Sequence, residues 1–196
     1  MEDIADYLNY DEACHVLQKY IIWRSHEHEN KVSENAVIIL DSLRDIFTVS
    51  KAEYNMLQYS AMLHDIGCFI NKNAHHKHTS YIIYNDSAFD CLPVNIRSIL
   101  ALVAAGHRKS MGKSIKNHNE HEQVFIMRLA SILRLADALD HTHNIDVRIN
   151  NIKADHDSLV IFLKGEDTYI AADRTAKKSD LFRECFNLEV ILKNAK

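Results

Sequence analysis

The sequence predicts a mostly α protein, with one helical domain over residues 1–143 and a small α+β extension over 144–196. Three observations carry this. Glycine (4) and proline (1) are scarce in 196 residues, so turn punctuation is rare and long helices with few irregular loops are expected. Apolar residues recur at helical spacing through most of the first 140 positions. After Asp140 the pattern changes, and "VRINNIKADHDSLVIFLKG" alternates like two strands around a turn at 155–157. Hydrophobic residues make up 47% and charged residues 26%, a balance able to bury a real core.

Each element can be placed in order. Residues 2–24 read as one or two helices, with Asp11 as a cap between them. Residues 26–46 read as a long helix with Val32, Ala36, Ile39 and Leu43 on one stripe. Ser50 followed by Glu53 is a capping box that opens a helix to about His64, and Gly67 is a natural stop. Shorter helices are expected at 75–85 and 95–106, and a longer one at 120–140 containing "FIMRLASILRLADALD". Ser179 caps a helix "DLFRECF" before a last strand, "LEVIL". Trp23, with Ile21 and Ile22, reads as core. Were it exposed, that run would suggest a homodimer surface.

Composition narrows the function. The net charge is -4 with His neutral, which lacks the basic surplus of a duplex nucleic-acid binder. Four glycines are too few and too scattered for a phosphate-cradling loop. Cys14, Cys68, Cys91 and Cys185 are widely separated and read as reduced thiols of a cytoplasmic protein. No long apolar run suggests a signal peptide or a membrane span.

The chemistry lies in histidines and acids on apolar helix faces. His28 continues the Val32–Ala36–Ile39 stripe, whereas His26 aligns with Glu29, Asn30 and Ser33. His64 and Asp65 follow Ala61 by three and four residues, so both lean over that small side chain. His107 extends the stripe of Leu100 and Val103. Asp137 interrupts "LRLADALD", where a carboxylate is costly unless it binds metal or pairs with Arg134. Among His75, His76 and His78, the Ile82 at i+4 favours His78. Imidazole with carboxylate suits Mn, Fe, Zn, Co or Ni more than Mg or Ca. Four ligands would hold one divalent ion, and six, with Asp65 bridging, would hold two. Arg108 and Lys77 flank these positions and are candidates to bind substrate phosphate. Cys68 reads as a packed thiol, and His15, His118, His121, His141, His143 and His156 as surface or capping histidines.

The ordered stretches "AMLHDIGCFIN", "HHKHTSYII", "GHRKS" and "ILRLADALD", with "TAKKSDLF" in the tail, resemble the HD superfamily of metal-dependent phosphohydrolases. The closer resemblance is to the C-terminal helical domain of the exopolyphosphatase / guanosine pentaphosphate phosphatase family. It implies an HD-domain helical bundle with a mixed tail. It also implies His28, His64, Asp65 and Asp137 as a mononuclear metal set, with His78 and His107 added for a binuclear one. It does not imply exopolyphosphatase activity, which in that family belongs to an actin-like domain with glycine-rich loops. Many HD hydrolases carry Lys just after their "HDIG", where this chain has Cys68. The expected function is therefore a phosphohydrolase acting on a phosphate ester or anhydride, a nucleotide above all, with Asp65, Arg108 and Lys77 in the reaction. The alternatives are a non-catalytic regulatory or dimerisation module and, more remotely, a His-rich metal store, although stores cluster His in tracts.

Overall fold

A computed structural model describes residues 1–22, 25–108, 111, 113–143, 146–165 and 168–195. Trp23 lies outside the described residues, so its place in core or interface is left at the sequence reading. A 3-10 turn at Ile4–Asp6 precedes α1 (Tyr10–Tyr20), α2 (Glu27–Ser42) and α3 (Lys51–Leu63). A 3-10 turn at Ile66–Phe69 leads to α4 (His75–Asn85), α5 (Val94–Ala105) and α6 (Glu120–Leu139). Then come β1 (Arg148–Ala154), β2 (Ser158–Lys164), α7 (Thr168–Lys178), α8 (Asp180–Phe186) and β3 (Glu189–Asn194). The protein is mostly α with a small C-terminal α+β extension, as the sequence predicts.

Local chemistry explains the boundaries. Ser50 accepts from the Glu53 amide while the Glu53 carboxylate takes the Ser50 amide, so the predicted capping box opens α3. Asn9/Glu12 and Asn119/Glu122 form the same reciprocal pair at α1 and α6. Asp11 is therefore not the cap. It lies inside the first turn of α1, where its charge complements the helix dipole. Gly67 does not end α3 either, because it sits within the 3-10 turn that follows. Ser179 precedes α8, but its hydroxyl donates to the Ala176 carbonyl instead of capping.

The core is organised around α6. Its residues from Leu129 to Ala136 are buried on every face, which marks a helix surrounded by protein. Helices α2, α3 and α5 pack on it, as do α7 and α8 of the extension. The sheet has the order β1-β2-β3, with β1 antiparallel and β3 parallel to β2. Leu159, Ile161 and Leu163 of β2 supply its buried face. Strand β1 also packs against α2. No helix among the described residues is long and apolar enough to cross a membrane.

Candidate metal centre

Three histidines are held by the nitrogen that faces away from a common point. His64 sits at the C-cap of α3, and its Nδ1–H donates to Ala61 O at 2.7 Å. His107 follows α5, and its Nδ1–H donates to Ala104 O at 2.7 Å. His28, in the first turn of α2, has Nδ1 2.7 Å from the Asp140 carboxylate at the end of α6. A nitrogen facing an oxygen carries the proton, so Nε2 of each neutral ring is left with a lone pair. All three rings are buried.

Two carboxylates share the space those lone pairs face. His28 Nε2 lies 4.0 Å from Asp65 Oδ2 and 3.8 Å from Asp137 Oδ1. His64 Nε2 lies 3.5 Å from Asp65 Oδ1 and 4.0 Å from Asp137 Oδ1. His28, His64 and Asp137 each turn a donor atom within 4.8 Å of the others. The alternative pairing of Asp137 with Arg134 does not form. Arg134 Nε donates to Gly106 O at 2.7 Å, and the other oxygen of Asp137 accepts from Lys178 of α7 at 2.6 Å.

His75 occupies the place expected of His78. Its Nε2 lies 3.3 Å from Asp65 Oδ1 and 2.8 Å from His107 Nε2. The reason is the register of α4. His75, Thr79 and Ile82 form one face, and Thr79 is fully buried. The Thr79 hydroxyl donates to His64 O and accepts from Gly67 N, which locks α4 to the turn bearing His64 and Asp65. A Cβ at Gly67 would stand 2.1 Å from the His75 carbonyl oxygen, so only glycine permits that approach. Ala74 immediately before α4 adopts φ 57, a left-handed conformation that costs a non-glycine residue about 1 kcal/mol or more. His78 is only half-buried and has no contact with the cluster among the described residues.

The electrostatics favour ligand-ready carboxylates. Burial would raise the Asp65 carboxyl, but His64, His107, His75 and His28 around it hold it down at about 2. Asp137 is likewise buried, and Lys178, His107 and His64 hold it well below the usual carboxylate range. Burial dominates at His107 and pushes it down to about 3, so this ring is neutral at physiological pH. At His28 burial acts downward, but the hydrogen bond to Asp140 and the charges of Asp65 and Asp137 raise it.

Two features fit a cation here. His64 Nε2 is buried without a hydrogen-bond partner, and such an orphan is costly unless something binds its lone pair. His75 Nδ1 lies 3.0 Å from Lys72 O and 3.4 Å from an Arg108 guanidinium nitrogen, and His75 Nε2 stands 2.8 Å from His107 Nε2. Because His107 Nδ1–H already donates to Ala104 O, either a proton on His75 Nε2 or a cation sits between the two Nε2 atoms. Donor atoms converge in His28, His64 and Asp137 and, beside them, in Asp65, Cys68 and His75; Asp65 also lies within 4.0 Å of His28 and His64, and His107 2.8 Å from His75.

The cluster opens into a cavity of about 1140 Å³ between α2, the Asp65 turn and β1. Arg108 lines it, as do Lys31, Lys72 and Arg148. Lys77 does not share this space. It lines a separate cavity of about 210 Å³ with His76 and Ser80, because it lies two residues past His75 on α4 and so faces elsewhere. His143 is exposed, as the sequence predicts, and its ring lies tilted against His28 with centroids 4.4 Å apart. Sequence reasoning also missed Asp140, although it stands three residues after Asp137 on the same helix side. Lys178 lies within "TAKKSDLF", a stretch that carries the resemblance, but no role follows for it from the sequence, and nothing there signals Arg148.

The Ppx/GppA phosphatase, domain III, family model matches residues 15–185. That covers most of the chain, and the chain belongs to this family. No curated protein matches it in sequence.

Proposed function

We propose that this protein is an HD-type metal-dependent phosphohydrolase that acts on a phosphate ester or anhydride, with a nucleotide as substrate. One observation carries the reading: the unpartnered, buried His64 Nε2 faces Asp65 and Asp137 within 4.0 Å. His28, His64, Asp65 and Asp137 would hold a divalent transition ion (Mn, Fe, Zn, Co or Ni), and Asp65, His75 and His107 a second. When bound, such ions supply Lewis acidity, which draws charge from a phosphoryl oxygen and makes water acidic enough to act as nucleophile near neutral pH.

The chain's own residues do the rest. The Ala61 and Ala104 carbonyls and Asp140 fix three imidazoles in one tautomer, so no reorganisation is needed as charge develops. Arg108 lines the same cavity and offers a planar fork to phosphoryl oxygens, with Lys72 as a point charge beside it. The family relation adds a phosphatase context and is equally compatible with a non-catalytic module. The test is elemental analysis of the purified chain with a phosphatase screen over nucleotides and divalent ions. Bound transition metal with turnover that Asp65→Asn abolishes supports the enzyme. Nucleotide binding without hydrolysis under any ion supports the regulatory module instead.

A further inference from the structure

The cavity reaches well beyond the histidine–aspartate cluster, and its chemistry changes along its length. On α2 the residues His28, Lys31, Asn35 and Ile38 are spaced by three, four and three, so they form one stripe along the helix. Ten residues of helix span about 15 Å. The stripe runs from an imidazole of the centre, past a cation, to an amide, and ends on an aliphatic side chain. Across the cavity stand Arg148 and Ile149 of β1.

Asn35 is the informative residue. It is 5% exposed, lines the cavity, and its side chain makes no hydrogen bond to any described residue. An amide that is mostly buried yet opens onto the cavity has a donor and an acceptor to offer a ligand in place of water. Ile38 beside it is an exposed large aliphatic residue, 42% exposed, on the same stripe. Glu34, also in the lining, is a carboxylate that would repel an extended polyphosphate and accept from hydroxyl groups.

We propose that Asn35, Ile38 and Ile149, with Arg148 and Glu34, form a recognition subsite for the nucleoside part of a nucleotide whose phosphate lies at the cluster. Asn35 pairs with the edge of the base, since an amide presents the adjacent donor and acceptor that a heterocycle matches. Ile38 and Ile149 bracket its faces, the Arg148 guanidinium stacks on the exposed side, and Glu34 accepts from the sugar. This rests on the hydrolase reading for the position of the phosphate. It makes the C-terminal extension part of substrate selection, through β1.

The test is calorimetric titration of the metal-loaded full chain with inorganic phosphate, inorganic tripolyphosphate and nucleoside 5′-monophosphates. At least one nucleoside monophosphate is expected to bind about tenfold or more tightly than inorganic phosphate, a ratio that reads the nucleoside contacts alone. Asn35→Leu and Ile38→Ser should each cut that ratio several-fold. Ile38 is surface-exposed, so that second variant keeps the test sound if the first fails to fold. Inorganic phosphate binding with no gain from any nucleoside, or tripolyphosphate binding the tightest, overturns the subsite and leaves the hydrolase reading standing. Binding of neither phosphate nor nucleotide overturns both.

Discussion

The two sides of the histidine–aspartate cluster are held in different ways. On the inner side, His64 and His107 are each tied to a carbonyl three residues back in their own helix. Elsewhere in the cluster, His28 is tied to Asp140, 112 positions away, and Asp137 to Lys178, 41 positions away. The first two imidazoles are therefore oriented by α3 and α5 alone. His28 and Asp137 are oriented only where α2, α6 and the C-terminal extension come together. Local anchoring gives a fixed half-site, and remote anchoring makes the other half depend on the whole tertiary structure.

The largest effect belongs to the group common to both sides. Asp65→Asn should cost roughly a thousandfold or more in turnover, since it weakens the charge that serves both ions. Steady-state kinetics with elemental analysis would check this, and near-normal turnover would break the site as drawn. Next come the remote tethers. Lys178→Met and Asp140→Asn should each weaken metal binding by roughly 10–100-fold, with Lys178→Arg restoring most of the loss. If metal titration shows no change in any of them, the remotely anchored half is as self-contained as the locally anchored one, and the contrast fails. A smaller change is expected for His75→Ala. It should remove one ion per chain and leave the ion on His28, His64, Asp65 and Asp137, as metal content per chain would show.

The smallest effect lies away from the cluster and tests how firmly the extension docks. Burial pushes the Cys185 thiol on α8 up to about 11 from an ordinary value near 9. Between those values the unfolded chain gives up a proton that the folded chain keeps. Stability therefore falls as pH rises through that window, by roughly 1–2 kcal/mol at its upper end, and is unaffected below it. Denaturant midpoints at pH 8 and pH 10.5 should differ more for the native chain than for Cys185→Ala. Equal slopes would show that the thiol is wetter than its packing suggests.

The same contrast decides what the sequence disclosed. The apolar stripes ending in His28 and His107, and the small Ala61 behind His64 and Asp65, are local patterns, and reading them picks out the cluster residues whose anchors are local or whose helix face is plainly apolar. His75 escaped because Thr79, the residue that marks its face as buried, is polar. Thr79 is buried to bridge His64 O and Gly67 N, a tertiary task with no periodic signature. Helix α7 went unread because "TYIAADRTAKK" holds few large apolar residues, and with it went Lys178. Arg148 matters only because β1 lies across the cavity from α2, which no spacing rule encodes.

Gly67 gives the cluster a point of control that carries no reactive group. The bare α-carbon there lets the turn after Asp65 rest on the first turn of α4. A single added methyl would wedge those two backbones apart and pull His75 out of reach of Asp65, with every coordinating side chain still in the chain. That hydrogen-for-methyl exchange would be a severe lever, since every atom in its way is backbone.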